Sequence, residues 1–266
     1  KIDLYTDDIG YQYLKQQEVT DLYDNVNVDV LNNFDSVRPD IYWAAGKVKV
    51  IQSQKEPFIS LDTDAVIYDE IKKHIDEKDS LVGFHYEMFG NEFYPSRDDI
   101  KVVETYDWDE KLNWELLPIN VAVTYFGDDV IRSHYTNECM RFMKENSEYV
   151  KNDYSSKSRM LFAEQRLLPM ICNKLGREYK TILESIWNPS LNSWMHTRHS
   201  KFSKLWGSIF THMWSEKVLL RNDDTREINY CKNTITMIRS LDFDGTIYNK
   251  IKDIPQLNKF FFFFKK

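Results

Sequence analysis

Two aspartates one residue apart, Asp62 and Asp64, directly follow the apolar run at residues 57–61. Ligands of open α/β sheets bind at the carboxyl ends of strands. Closely spaced carboxylates suit Mg²⁺ or Mn²⁺, because these ions prefer hard oxygen ligands. The chain has two further Asp-x-Asp triplets, which begin at Asp107 and Asp242. Only the first triplet follows a predicted helix and a short apolar strand, so we predict a divalent-metal site there.

The overall charge of the chain argues against one class of function. The 266 residues include 35 Lys and Arg against 42 Asp and Glu, a net charge of −7. General nucleic-acid binders neutralise phosphates with a basic surface. We therefore expect no nucleic-acid partner, and the length suits one large domain with a substantial core.

Cysteine usage and hydropathy bear on the cellular compartment. The three cysteines are far apart and form no Cys-x-x-Cys pair, which is typical of reduced thiols in a cytoplasmic protein. No stretch approaches the roughly 20 apolar residues of a membrane span. The chain starts at Lys1 in a segment that already has the pattern of a strand, so we expect further residues upstream.

Hydrophobic periodicity predicts strands that alternate with helices. Apolar residues in the stretch 41–54 recur at the spacing of one buried helix face, and the helix predicted at 158–174 contains Pro169, where we expect a bend or break. The predicted strands are 2–6, 26–30, 58–61, 81–85 and 116–126, and the predicted helices are 11–17, 41–54, 128–146 and 158–174. Residues 86–115 lack a clear period and are interpreted as a loop-rich insertion. This order predicts an α/β fold, Rossmann-like, with a mainly parallel central sheet.

Six short motifs in this order resemble those of nucleotide-sugar-dependent glycosyltransferases of the GT-A fold, nearest to the retaining, glycogenin-like class (family eight) and to uncharacterised bacterial relatives. The motifs are Leu4-Tyr5-Thr6-Asp7, Trp43-Ala44-Ala45-Gly46-Lys47, Pro57-Phe58-Ile59-Ser60-Leu61-Asp62-Thr63-Asp64, Asn120-Val121-Ala122, Glu164-Gln165 and Thr211-His212. The resemblance implies a single GT-A-like catalytic domain over residues 1–220. Residues 221–266 then form a helical or extended tail.

The resemblance also implies a metal site. Asp62 faces the ribose and the metal, Asp64 binds the metal directly, and His212 supplies the third ligand of a Mn²⁺ or Mg²⁺ ion. Lys217 is a phosphate contact by the same likeness. Such a cation neutralises the charge that builds on the β-phosphate of the leaving group. The alternative for His212 is an ordinary histidine in an aromatic cluster.

The remaining implied roles concern the donor and the reaction. By resemblance, Glu164 and Gln165 lie beneath the anomeric carbon, where they bind the sugar or stabilise an oxocarbenium-like centre, and this pair implies retention of configuration. The implied donor-binding residues are Thr6, Asp7, Lys47, Asp62, Asn120 and Lys217. Alternatively, Lys47 and Glu164 are charged residues on solvated helix faces.

The expected activity is transfer of a sugar from a nucleotide sugar, preferably a UDP-sugar, to a glycan, a lipid-linked acceptor or another hydroxyl group. One alternative is a non-catalytic carbohydrate-binding or scaffold protein on a degenerate GT-A fold. A less favoured alternative is a phosphatase that uses Asp242 and Asp244, although only 20 residues follow Thr246. The Phe-rich and Lys-ending tail at 260–266 is either a packed or frayed end or a peripheral contact with the inner face of a membrane.

Overall fold

The fold is described by a computed structural model with six α-helices and ten β-strands in the described part of the chain. The described residues are 1–34, 37–67, 71–87, 93–147, 154–185, 187–188, 193–194, 210–212, 225 and 229. The helices are α1 (Asp8–Gln16), α2 (Asp29–Asn32), α3 (Ala45–Ser53), α4 (Asp129–Glu145), α5 (Tyr154–Leu161) and α6 (Leu167–Lys174). The strands are β1 (Asp3–Tyr5), β2 (Asn25–Asn27), β3 (Phe58–Leu61), β4 (Ala65–Ile67), β5 (Leu81–Tyr86), β6 (Val123–Phe126), β7 (Lys180–Ser185), β8 (Trp187–Asn188), β9 (Ser193–Trp194) and β10 (Phe210–His212). The predicted α/β class is confirmed.

The chain divides into two compact units. The first unit comprises residues 1–32, 64–70 and 197–266, and the second comprises 33–63 and 71–196. The predicted boundary at residue 220 stays a prediction, because almost all of 221–266 lies outside the described residues.

The first unit contains a βαβ element and a second pair of strands. β1 and β2 are parallel, with α1 between them in the sequence. Asp7 caps α1, because its carboxylate accepts a hydrogen bond from the N–H of Gly10 at 2.7 Å. β4 and β10 are antiparallel, and their register sets His212 opposite Ala65.

The second unit is built on a four-stranded sheet in the order β3-β6-β5-β7. β6 is antiparallel to both β3 and β5, and β5 is parallel to β7. Three strands therefore share one direction and β6 opposes them. The sheet is therefore mixed and not mainly parallel in its pairings, since only β5 and β7 are parallel neighbours. The sequence could not predict this, because hydrophobic periodicity identifies a strand without fixing its direction. The carboxyl ends of β3 and β5 and the amino end of β6 meet at one edge.

Helices α3 and α4 pack together beside this sheet, and α4 also contacts β6. The buried face of α3 consists of Ala45, Val48 and Ile51, as the periodicity predicts. α4 begins at a cap in which the Asp128 carboxylate accepts from the N–H of Val130 at 2.8 Å. The stripe on α4 that faces the core is apolar apart from a threonine and comprises Ile131, Tyr135, Thr136, Cys139, Met140, Phe142 and Met143.

The helix predicted at 158–174 is interrupted, but earlier than Pro169. Residues Phe162–Arg166 form a π-helical segment between α5 and α6, in which the N–H of Leu167 bonds to the carbonyl of Phe162, five residues back. Pro169 itself is buried within α6. The proline still provides a physical cause, because it has no N–H with which to bond the carbonyl four residues earlier.

The predicted insertion has little regular structure over its described part beyond β5. Residues 93–115 contain a single short 3₁₀ turn, Arg97–Asp99, and no described strand. Its two tryptophans pack against Phe162, with ring centroids 5.2 Å away for Trp108 and 5.3 Å away for Trp114. The insertion is therefore anchored on the core at the π-helical segment.

Candidate functional site

The segment 119–122, which leads into β6, joins the predicted site residues of the second unit. Each of its four residues forms a hydrogen bond through its main-chain N–H or carbonyl group. The bonds are Ile119 N to Gln165 O at 3.1 Å, Asn120 N to His85 O at 2.8 Å, Lys47 Nζ to Val121 O at 2.8 Å and Asp62 N to Ala122 O at 2.8 Å. The segment was predicted as a continuous strand, but Pro118 has no N–H and the Asn120 Oδ1 accepts from Ala122 N at 3.0 Å, so only an isolated bridge at Ile119 precedes β6.

Gly83 allows this close approach. A Cβ atom at that position would collide with the side chain of Ile119. A side chain at this position would therefore require Ile119 or the backbone to shift.

Lys47 is the centre of a charged cluster. Its ammonium group lies 2.5 Å from Asp62 Oδ1 and 3.1 Å from Glu164 Oε1, and it donates to the carbonyl of Val121 at 2.8 Å. These three acceptors match the three N–H donors of a lysine. The side chains are 17% exposed for Lys47, 28% for Asp62 and 8% for Glu164. Lys47 and Glu164 are therefore not solvated charges on open helix faces.

The electrostatics of the cluster favour a charged lysine. Burial alone lowers the pKa of Lys47, but the charges of Glu164 and Asp62 outweigh it and hold that pKa above its usual value. One ammonium against two ionised carboxylates leaves a net charge of −1. An electron-poor centre or a further cation would be stabilised beside it.

The π-helical segment places Glu164 and Gln165 in this site. Because Pro169 cannot bond the carbonyl of Gln165, that carbonyl accepts instead from Ile119. The carbonyl of Glu164 accepts from the hydroxyl of Tyr135 at 2.7 Å. Helix carbonyls that an ordinary α-helix would use internally thus bond to the segment before β6 and to α4, which fixes the two adjacent polar side chains.

Tyr94, from the insertion, reaches Gln165. Its hydroxyl donates to Gln165 Oε1. The next residue, Pro95, is held by Arg166, which donates to the carbonyl of Pro95 and, at 2.9 Å, to the carbonyl of Trp114. Burial, with the nearby charges of Glu87 and Glu164, raises the pKa of Tyr94 well above its usual value. The hydroxyl therefore remains a hydrogen-bond donor.

Asn120 is buried and holds Glu87. Its Nδ2 donates to Glu87 Oε1 at 2.9 Å, and its Oδ1 accepts from Ala122. Burial raises the pKa of Glu87 to about 7, although the bond from Asn120 opposes this shift. His85 Nδ1 lies 3.9 Å from Glu87 Oε1. The predicted contact of Asn120 with a donor sugar stays a prediction.

The other predicted site residues lie in the first unit. Thr6 follows β1, and its N–H donates to the carbonyl of Asn27 at 3.1 Å. Asp7 is engaged as the cap of α1. Asp64 is buried and directly precedes Ala65, the register partner of His212. The register of β10 with β4 thus sets the backbone of His212 opposite the residue that follows Asp64.

Three predictions lie outside the described residues. These are the phosphate contact Lys217, the phosphatase alternative at Asp242 and Asp244, and the Phe-rich tail at 260–266. In the part of the chain that is described, no group of three or more His, Cys, Asp or Glu side chains is arranged to hold a metal ion. No described helix combines the length and the apolar character needed to cross a membrane. Cys139 and Cys172 are free, as predicted.

The structure also brings Tyr94, Tyr135 and Glu87 to the site, and none of the six motifs contains them. Glu87 does carry a signal, because it directly follows the predicted strand 81–85 near the edge where Asp62 follows β3. Tyr94 and Tyr135 carry none, since each contact joins residues at least 29 positions apart.

Comparison with known proteins identifies a family for this chain. Searches of curated proteins and of solved structures found no match. One family model, described as a family of unknown function (DUF6734), matches residues 1–225. That match covers most of the chain, including Lys47, Asp62 and Glu164. The protein therefore belongs to the DUF6734 family.

Proposed function

We propose that this protein is a glycosyltransferase that moves a sugar from a nucleotide-sugar donor, preferably a UDP-sugar, to a hydroxyl acceptor such as a glycan. One observation carries the proposal. The ammonium group of Lys47 contacts both Asp62 and Glu164, so residues from three motifs that resemble those of glycosyltransferases form one cluster. A common site would account for the meeting of these three motifs at one ammonium group.

The cluster lies where ligands of α/β proteins bind. Asp62 follows the carboxyl end of β3, and Glu87 follows the carboxyl end of β5 at the same edge. Glu164 and Lys47 complete an anionic group there. In the proposed reaction, positive charge builds on the anomeric carbon, and the carboxylate of Glu164 stabilises it electrostatically.

Retention of configuration is part of the proposal. An inverting reaction needs a carboxylate that acts as general base for the acceptor hydroxyl. Glu164 already accepts a hydrogen bond from the ammonium group of Lys47 at 3.1 Å, so we do not assign it the role of that base. We therefore place Glu164 beside the anomeric carbon rather than beside the acceptor.

The proposed cation is Mn²⁺ or Mg²⁺, with Asp64 and His212 as ligands. Carboxylate oxygen and imidazole nitrogen suit Mn²⁺, and the register of β4 with β10 supports the pairing because His212 stands opposite the neighbour of Asp64. The predicted role of Asp62 as a further ligand stays a prediction, since its Oδ1 is already engaged by Lys47. When bound, the cation would neutralise charge on the leaving diphosphate.

A thermal-shift panel tests the proposal. The protein is heated with UDP, GDP or CMP, each with and without Mn²⁺, and we expect one nucleotide to raise the melting temperature only when the metal is present. Asp64→Ala should abolish this shift while the variant remains folded. The matched control is Asp244→Ala, from the third Asp-x-Asp triplet, which should keep the shift.

Three results separate the alternatives. Stabilisation by free sugars without any nucleotide effect would favour a carbohydrate-binding protein. Hydrolysis of phosphomonoesters that is lost in Asp244→Ala would favour the phosphatase. Equal loss of the nucleotide shift in both variants would contradict the choice of the first triplet as the metal site.

A further inference from the structure

The contact between Tyr94 and Gln165 distinguishes the two polar residues of the π-helical segment. Gln165 is half-buried, whereas its neighbour Glu164 is buried. The side-chain oxygen of Gln165 accepts a hydrogen bond from the hydroxyl of Tyr94. An amide whose oxygen is engaged in this way turns its NH₂ group in the other direction, because the two groups share one planar carbon.

We infer that Tyr94 is a positioning residue that makes Gln165 a hydrogen-bond donor to the substrate. The inference rests on the proposed function and deepens it by assigning different roles to the pair. Gln165 presents N–H groups to an oxygen of the sugar or to the bridging oxygen of the leaving phosphate. Glu164 remains the anionic member, so the amide oxygen of Gln165 does not attack the anomeric carbon.

Three features keep Tyr94 in this role. Its ring is buried, at 5% exposure. The next residue, Pro95, is held by Arg166, which comes from the same π-helical segment and donates to the carbonyl of Pro95. Burial and the nearby charges of Glu87 and Glu164 keep the hydroxyl protonated. The hydroxyl of Tyr94 therefore keeps its proton at neutral pH and donates a hydrogen bond to Gln165.

The inference explains why the insertion belongs to the site. The insertion contributes little regular structure, yet the ring of Trp108 packs against Phe162 and the carbonyl of Trp114 accepts a hydrogen bond from Arg166. These contacts fix the distance between Tyr94 and Gln165. The orientation of the Gln165 amide, and so its role as a hydrogen-bond donor, is thus set by Tyr94, which is 71 positions away in the sequence.

Steady-state kinetics of Tyr94→Phe tests the inference. The variant should lower kcat about ten- to a hundredfold, with the KM for the nucleotide sugar changed by less than about twofold, because misplacement of an amide near the reacting centre affects the transition state more than ground-state binding. The matched control is Tyr106→Phe. Tyr106 is also a buried tyrosine of the insertion, but its hydroxyl contacts Glu138 and Arg141 away from the cluster.

A double-substitution cycle separates positioning from a general structural role. In a Gln165→Ala background, Tyr94→Phe should cause no further loss of kcat. A loss of the same size in that background would show that Tyr94 does not act through Gln165 and would overturn the inference. Wild-type kinetics in Tyr94→Phe would also overturn it.

A second variant keeps the test decisive if Tyr94→Phe fails to fold. Gln165→Glu retains an acceptor for the Tyr94 hydroxyl but has no N–H, so it should lose kcat to a similar extent. Unchanged kcat in Gln165→Glu would show that no amide donor is needed. A wild-type protein that turns over no nucleotide sugar refutes the proposed function, and the inference with it, whereas turnover by wild type with unchanged variants refutes the inference alone.

Discussion

Replacement of Lys47 by methionine should strongly destabilise the second unit. Methionine keeps most of the aliphatic volume but removes the ammonium group that contacts Asp62 and Glu164. Two carboxylates then face each other without a cation. The free energy of unfolding should fall because an unpaired charge in a poorly solvated site is costly.

The size of the loss follows from burial. Removal of one partner of a buried ion pair costs about 3–5 kcal/mol, whereas an exposed pair contributes about 0–1 kcal/mol. Glu164 is 8% exposed, but Asp62 is 28% exposed and retains part of its hydration. We therefore expect the lower end of the buried range, about 3 kcal/mol.

Urea unfolding at pH 7, followed by circular dichroism, measures this loss. The control is Lys180→Met, since Lys180 pairs with Asp79 at 2.7 Å but is 49% exposed, and that variant should lose less than about 1 kcal/mol. Adding Glu164→Gln to Lys47→Met should restore part of the stability, because it removes one uncompensated charge. A loss in Lys47→Met no larger than in the control would refute the clustered ion pair.

Two other substitutions test the surroundings of the cluster. Burial raises the pKa of Glu87 to about 7, so the folded state binds a proton that the unfolded state has released between about pH 4.5 and 7, and stability should fall as the pH rises through this window. Glu87→Gln should remove about 3 kcal/mol of that fall in urea titrations at pH 4.5 and 8, and an unchanged pH dependence would contradict the assignment. Gly83→Ala should cost about 2 kcal/mol through its collision with Ile119, measured by the same unfolding assay, and a neutral effect would show that the segment 119–122 can move away from β5.

Local patterns predicted five of the described strands but missed others, among them β7 of the four-stranded sheet, and they did not reveal every interruption. The strand 58–61 was predicted with its observed bounds, and the helix predicted at 128–146 differs from α4 by one residue at each end. Periodicity is strong in both. The strand predicted at 116–126 is shorter, because the side chain of Asn120 occupies a backbone N–H that a strand partner would otherwise bond.

The site was partly predictable for a similar reason. Lys47, Asp62 and Glu164 were named from short motifs, and the structure brings them together. The motifs held no information on Tyr94, and although Val121 lies in one of them, nothing in the sequence showed that its carbonyl accepts from Lys47. The sequence also did not predict the π-helical segment. Pro169 indicates only that one helical hydrogen bond is missing, and the groups that bond the carbonyls of Glu164 and Gln165 lie on other elements.

The most direct test is NMR of the protein with an α-linked UDP-sugar and Mn²⁺, which follows the anomeric proton of the first product. We predict consumption of the donor, release of UDP and an initial α-configured product, with at least a tenfold slower reaction in Glu164→Gln. An initial β-product would contradict retention. Failure of the wild-type protein to consume any UDP-, GDP- or CMP-linked sugar, or equal rates in Glu164→Gln, would contradict the assignment of the cluster as a sugar-transfer site.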